Sequence, residues 1–267
     1  MARKINSVII PRGYDILGNI VIVKFDRKTK VAQKKKWALA FLNERKQVKT
    51  VLEKSNKFRG RLRTLTTKFI EGVKTKEVLY RENGCEFRFN TDSCYFSPRL
   101  SSERKEIADL VKKNEEVLVL FGGVGPFAIV IAKTGKSKKV VSVELGRECS
   151  KYALENVKRN KLENKVEIIQ GDVRRILPKI NRTFDRVVMT RPNLKDSFLE
   201  VSFPRVKKGG IIHYYGFYRE VDLDKMKEMI EKEAKKAERK IKILGIKKAG
   251  DIGVRTFRYR VDIKVLK

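Results

Sequence analysis

Gly122, Gly123 and Gly125 stand directly after the apolar run Val117–Phe121, in the stretch VLVLFGGVGPF, and the apolar segment Ala128–Lys133 follows them. A glycine-rich turn between a buried strand and a helix lets a ligand lie against bare backbone at a helix N-terminus. A second apolar run, Val140–Val143, ends in Glu144. That acid lies about 20 residues beyond the glycines, where a carboxylate meets ribose hydroxyls. The combination predicts a nucleoside-containing cofactor. GVGPFA (Gly123–Ala128) also fits the dinucleotide pattern G-x-G-x-x-A, so nicotinamide, flavin and S-adenosylmethionine are all open on this signal alone.

Composition narrows the partner. The 267 residues carry 64 Lys+Arg against 32 Asp+Glu, a formal net charge of +32. Thermal adaptation enriches both Lys and Glu, but it does not produce a two-to-one excess of base. Such an excess fits a surface that meets phosphates, and nucleic acid is the expected partner. Three cysteines (Cys85, Cys94, Cys149) and one histidine (His213) have no metal-ligand spacing, so no metal is expected and the thiols read as reduced core residues. The N-terminus, MARKINSVIIPRG, has no long apolar run and no window approaches a membrane span. The expectation is a soluble, cytoplasmic, monomeric protein.

The elements that must position the glycine loop follow from periodicity. Residues 1–80 read as a small basic α+β domain, with 21 Lys+Arg against 6 Asp+Glu. Within it Asn19–Phe25 reads as a strand after a turn at Gly18, and Ala32–Lys46 as a helix with Val31, Trp37, Leu39 and Leu42 inward. Lys49–Glu53 and Arg63–Ile70 read as further strands. Lys34, Lys35 and Lys36 on the helix, and Arg59 and Arg61 in the cluster Arg59–Arg63, are candidate RNA contacts. Residues 81–114 connect this domain to the next, with short strands expected at Phe87–Phe89 and Cys94–Phe96 and a helix at Ser101–Lys112 opened by capping serines.

From residue 115 strands and helices alternate. Strands are expected at 117–121, 140–144, Val166–Ile169, Arg186–Met189 and Ile211–Tyr215, with helices at 126–134, 147–159 and 195–202 between them. This is a doubly wound parallel sheet. A charged amphipathic helix, Leu223–Lys240, precedes a closing antiparallel pair, Ile241–Ile246 and Arg255–Val265. The fold class is therefore α/β of the class I S-adenosylmethionine-dependent methyltransferase type, a Rossmann-like sheet with a terminal antiparallel hairpin.

Three further segments sharpen this: YFSPRLSSER (Tyr95–Arg104), NVKRNKLENKVEIIQGD (Asn156–Asp172) and GGIIHYY (Gly209–Tyr215). With FGGVGPF they resemble the archaeal and eukaryotic tRNA (guanine-37, N1)-methyltransferases, from about Gly13 to the C-terminus. The resemblance implies S-adenosylmethionine as cofactor and tRNA as partner. It implies Glu103 as general base and Arg63, in Gly60–Arg63, as the arginine that meets guanine O6. Tyr95, Phe96 and Arg99 would line the cofactor beside Gly123 and Gly125, Glu144 would hold the ribose hydroxyls, Asp172 the adenine edge, and Pro192 the loop beside the methyl donor. Arg104 is a candidate phosphate contact or ion pair. Two positions depart from the family pattern: Val119 stands where an acid is usual, and Thr190 where Asn is usual. The resemblance implies the shorter layout, without the domain that checks the tRNA elbow; some members of that subgroup also methylate a wyosine intermediate.

The chemistry is consistent with those roles. Guanine N1 is protonated at neutral pH, so a carboxylate must remove that proton, an effect of typically ~10²–10⁴-fold. Charge then develops on O6, where a fixed guanidinium stabilises it. The base must leave the anticodon stack to be reached, and Tyr95, Tyr214 and Tyr215 are candidates to hold it, with core packing the alternative role. His213 reads as a hydrogen-bonded residue at a strand end. Two alternatives stay open: methylation of C7 on the tricyclic wyosine precursor, motivated by Thr190, and an inactive RNA-binding protein, motivated by Val119. Nothing in the chain resembles a hydride-transfer site.

Overall fold

The computed structural model describes residues 10–55, 65–190, 196–253 and 255–267. Arg59, Arg61, Arg63 and Pro192 lie outside the described residues. The chain divides into two units, one of the residues up to Glu82 with Glu86–Pro98, the other of Asn83–Cys85 with Arg99–Lys267.

In the first unit, β1 (Gly13–Leu17) and β2 (Ile20–Lys24) form an antiparallel hairpin. Gly18 turns it at φ 55°, and a Cβ there would lie 1.8 Å from the Leu79 carbonyl oxygen, so only glycine fits. Helix α1 (Val31–Glu44) carries the chain to β3 (Thr50–Lys54), parallel to β2, and β4 (Thr67–Gly72) closes the sheet antiparallel to β3. The buried face of α1 is Trp37, Ala38 and Phe41, packed against Val21, Val23, Phe25 and Val51. The expected inner face is thus corrected: Val31 is 68% and Leu39 50% exposed. Leu39 lies two residues beyond Trp37, roughly 200° around the helix, and the stacked Trp37–Phe41 ring pair sets the side that packs. Strands β5 (Glu77–Glu82) and β6 (Cys85–Asn90) pair across Asn83-Gly84, whose φ values of 49° and 70° make the two-residue turn that suits a hairpin. Cys94–Phe96 is not a strand; the Cys94 N–H donates to the Asn90 carbonyl, and Phe96 stacks on Phe89.

The second unit opens with α2 (Ser101–Leu110). Its N-cap is Leu100 with no side-chain cap, because Ser101 already lies inside the helix. Then follow β7 (Glu116–Leu120), α3 (Pro126–Lys133), β8 (Lys139–Glu144), α4 (Arg147–Arg159), β9 (Val166–Gln170), α5 (Val173–Ile176) and β10 (Phe184–Met189). The chain continues with α6 (Leu199–Ser202), β11 (Val206–Tyr218), α7 (Leu223–Lys236), β12 (Ile241–Gly253) and β13 (Thr256–Val265). The sheet order is β12-β13-β11-β10-β7-β8-β9. Strands β11 to β9 are parallel, while β13 and β12 run antiparallel. β7 has its successor β8 on one side and β10 on the other, which makes its C-terminal end the switch point where α/β sheets bind ligands.

Two helices are shorter than periodicity suggests. Ahead of α6, Asp196 accepts the Phe198 N–H and Ser197 the Leu199 N–H, and Phe198 sits at φ 61°; these local bonds hold a turn in place of helix. α7 stops at Lys236 because Glu238 turns left-handed and Arg239 donates back to the Ala234 carbonyl, a Schellman-type ending. Conversely β11 runs on to Tyr218, since β13 pairs with it beyond the end of the parallel sheet.

Candidate active site

The glycine loop leaves β7 through Phe121, at φ 60°, and continues through Gly123 at φ 57° and Gly125 at φ 86°. Gly125 is the N-cap of α3, with Pro126 in the first turn. Gly122 lies so close to β8 that a Cβ on it would stand 2.0 Å from Ser142 Oγ. At the end of β8 the Glu144 carboxylate accepts the Gly123 N–H at 2.8 Å through Oε2 and the Gly146 N–H at 2.6 Å through Oε1. Burial raises its pKa, with the Gly146 and Gly123 N–H groups opposing. One strand further, Asp172 caps α5 by accepting the Arg174 N–H at 2.9 Å. Thr190 Oγ1, at the end of β10, contacts the carbonyls of Leu120 (3.0 Å) and Phe121 (2.9 Å), so here Thr ties β10 to the start of the glycine loop. Bare loop backbone, Glu144 and Asp172 thus stand at the ends of three adjacent strands, an order that suits an adenosine group.

Beside this loop lies a second cluster. β11 and β13 pair Tyr215 with Arg260 and His213 with Asp262, and side chains two residues apart on a strand share a face. All four meet α2. Glu103 Oε1 accepts from Tyr215 OH at 2.6 Å and from Arg260 Nη1 at 2.7 Å. Arg260 Nη2 also donates to Glu106 Oε1 at 2.9 Å and Arg260 Nε to Asp262 Oδ1 at 2.9 Å. Lys247 pairs with Glu106 and stands 3.9 Å from Glu103 Oε2. The Tyr215 ring is 6.0 Å from that of Phe127, in the first turn of α3, which makes the carboxylate cluster a neighbour of the glycine loop.

The cluster continues inward. His213 is 1% exposed, with Nδ1 2.6 Å from Asp262 Oδ1 and Nε2 2.6 Å from Arg186 Nη1. Arginine only donates, so Nε2 accepts and Nδ1 carries the proton. Arg186 is paired in turn with Glu115 at 2.8 Å. Burial pushes the His213 pKa down against the pull of Asp262. Burial also pushes the Tyr215 phenol up, with Glu103 adding to it. Burial opposes charge on Arg260, yet Glu103 and Asp262 hold its pKa above the usual value. Asp262 is lowered because His213 and Arg260 outweigh its burial.

The remaining expected residues divide. Tyr95 is half-buried in the first unit, and Phe96 is buried there among Phe87, Phe89 and Tyr80. Arg99 is exposed in the turn before α2. Arg104 is 1% exposed, with its guanidinium 5.9 Å from the Phe127 ring centre; so buried a side chain does not reach a phosphate, which corrects its place among RNA contacts. Lys34 is likewise corrected, since Nζ pairs with Glu53 at 2.7 Å, whereas Lys35 and Lys36 are exposed. Tyr214 is core, its hydroxyl 3.2 Å from that of Tyr218, and Tyr215 joins the Glu103 cluster. Val119 is fully buried within β7 between Ser142 and Val188. Arg260, Asp262, Arg186 and Glu115 were not among the expected residues; the signal available was charge at alternate positions of RYRVD, Arg258, Arg260 and Asp262. Among the described residues, no group of His, Cys, Asp or Glu could hold a metal ion, and no helix is long and apolar enough to cross a membrane.

The TRM5/TYW2 methyltransferase domain matches residues 78–244, and the TYW2 N-terminal domain residues 5–75. The tRNA (guanine(37)-N(1))-methyltransferase Trm5b of Pyrococcus abyssi is 34% identical, over 96% of this chain and 76% of its own length, and its crystal structure superposes with a TM-score of 0.85. The Nanoarchaeum equitans tRNA (guanine(37)-N(1))/4-demethylwyosine(37)-methyltransferase Taw22 is 33% identical, over 95% of this chain and 99% of its own. The structure of Methanocaldococcus jannaschii Trm5 in complex with adenosine is similar at 27% identity and a TM-score of 0.80, covering 97% of this chain and 75% of that one. The fold, the strand-end site and these likenesses agree: the chain belongs to the TRM5/TYW2 methyltransferase family.

Proposed function

We propose that this protein transfers the methyl group of S-adenosylmethionine to N1 of guanosine 37 in tRNA. The observation that carries the reading is the likeness, along nearly the whole chain, to a relative named for that reaction. The cofactor supplies an electrophilic sulfonium methyl group. The glycine loop, Glu144 and Asp172 hold its adenosine part, with Tyr95, Phe96, Arg99 and Pro192 completing the cofactor contacts. Glu103 removes the N1 proton of guanine, and Arg63 neutralises charge on O6. Arg59, Arg61, Lys35 and Lys36 meet phosphates from the basic first unit. The supporting geometry is that Glu103 belongs to a helix beside the glycine loop and is hydrogen-bonded through one oxygen only, among the described residues.

A second activity is favoured by a separate observation. Taw22, similar over 99% of its length, is named for both guanosine and 4-demethylwyosine at position 37, and Thr190 stands where Asn is usual in the family the sequence resembles. Methylation of the tricyclic precursor at C7 would use the same bound cofactor. The test is transfer of tritiated methyl groups to tRNA transcripts carrying guanosine or adenosine at position 37. Incorporation dependent on guanosine 37 supports the reading, and equal labelling of both transcripts refutes it.

A further inference from the structure

A continuous line of charged and polar groups runs behind Glu103: Glu115, Arg186, His213, Asp262, Arg260 and then Glu103 itself. His213 is 1%, Arg186 2% and Arg260 4% exposed. Burying such groups costs more than a fold needs when apolar residues would fill the same space. The line ends on one oxygen of one carboxylate. We infer that Arg260 is a positioning residue, which with Tyr215 holds Glu103 through Oε1 so that Oε2 alone is presented to the substrate, and that Asp262 and His213 fix the guanidinium in that orientation. This rests on Glu103 being the base in the proposed reaction.

The geometry supports each link. Arg260 is a fork: Nη1 takes Glu103, Nη2 takes Glu106, and Nε takes Asp262. A planar guanidinium satisfied on three sides does not rotate, whereas an ammonium would keep the charge and lose the angle. Tyr215 adds a second bond to the same Oε1, at 2.6 Å. Oε2 accepts no hydrogen bond among the described residues, and Lys247 Nζ stands 3.9 Å away. In the reaction the N1–H proton moves to Oε2 as N1 bonds to the methyl carbon and the carbon–sulfur bond breaks. The products are the methylated base, neutral S-adenosylhomocysteine and a protonated Glu103, which returns its proton to water. The charged and titratable groups that face Glu103 are Arg260 from β13, Lys247 from β12, Tyr215 from β11 and, one turn along its own helix, Glu106; Asp262 and His213 stand behind Arg260.

Arg260→Gln, Arg260→Lys and Tyr215→Phe test this in the full-length protein, by single-turnover methyl transfer to guanosine-37 tRNA across pH. Carboxyl carbon-13 NMR of Glu103 at a single pH in the cofactor-free protein reports its hydrogen-bonded environment independently of activity. Arg260→Gln should lower the plateau rate on the order of 10²-fold, as expected for a misplaced group, and displace the Glu103 carboxyl resonance as its fixed guanidinium partner is lost. Affinities for tRNA and S-adenosylmethionine should stay within about twofold of wild type. Arg260→Lys should keep the charge yet lose plateau rate, which separates charge from angle. Tyr215→Phe should lower the rate less and serves if Arg260→Gln does not fold. Unchanged plateau rates in Arg260→Lys and Tyr215→Phe overturn the inference, as does an unmoved Glu103 carboxyl resonance in Arg260→Gln. If wild type leaves guanosine 37 unmethylated, the functional reading falls, while the Glu103 carboxyl resonance still decides whether Arg260 holds Glu103.

Discussion

Replacing Gly122 by Ala puts a methyl group where the glycine loop touches β8. The added Cβ would stand 2.0 Å from Ser142 Oγ, while Ser142 Cβ is 3.4 Å away and the Val143 carbonyl oxygen 3.8 Å. A carbon–oxygen contact needs roughly 3.3 Å, so loop and strand must part by about 1.3 Å or the serine must rotate. Ser142 is 1% exposed in the middle of the sheet, which leaves little room for rotation. Overpacking of this kind costs about 1–3 kcal/mol. In a unit of this size that is ~2–12 °C in melting temperature. If the displacement falls wholly on the cofactor-bound loop, affinity for S-adenosylmethionine drops about 5–150-fold. The clash is with one atom, so Gly122→Ala combined with Ser142→Ala should recover most of both losses, a coupling expected of residues in contact. Titration calorimetry with S-adenosylmethionine and thermal melts of the four proteins measure it. Gly122→Ala binding and melting like wild type, or a double variant no better than the single, would refute the reasoning.

Other perturbations separate the parts of the site. Glu103→Ala should slow single-turnover transfer by ~10²–10⁴-fold with tRNA affinity nearly intact; an unchanged rate would remove Glu103 from the role of base. Glu144→Gln removes the charge that holds the Gly123 and Gly146 N–H groups, and hydrogen bonds of this charged type contribute about 1.5–3 kcal/mol. Calorimetry should show S-adenosylmethionine binding weakened by ~10–150-fold, and wild-type affinity would contradict the assignment. His213 is held neutral by burial, so the unfolded chain takes up a proton near pH 6.5 that the folded one resists. Its stability contribution is therefore full above about pH 6.5 and is lost as pH falls below that value. The urea midpoint should drop between pH 7.5 and 5.5 in wild type and stay flatter in His213→Gln; equal pH profiles would exclude His213 as the source.

The sheet was legible because its strands are short apolar runs, and a run buried on both faces needs no further cue. β7, β8 and β10 read this way, and the glycine loop with Glu144 gave the cofactor end at once. Strands β1 and β5, GYDIL and EVLYRE, do not stand out because charged residues interrupt or flank each short apolar stretch, and their pairing comes from the turns at Gly18 and Asn83-Gly84. The inner face of α1 turned on which aromatic rings stack, a tertiary choice that spacing leaves open. The base end of the site was half legible. Glu103 stood in a recognisable segment, but Arg260 lies 157 positions away, and only the β11–β13 register brings it opposite Tyr215. Arg104 and Lys34 show the reverse error: a basic residue in a basic chain reads as a phosphate contact until burial or a carboxylate partner claims it.

The central claim is tested most directly by mass spectrometry of nucleosides from tRNA incubated with the protein and S-adenosylmethionine, using one transcript with guanosine 37 and one bearing the tricyclic wyosine precursor. The account predicts N1-methylguanosine from the first. A methylated tricycle from the second would add the dual activity suggested by Thr190 and the likeness to Taw22. No methylated guanosine at position 37 of the first transcript, from protein that binds the cofactor, would contradict it.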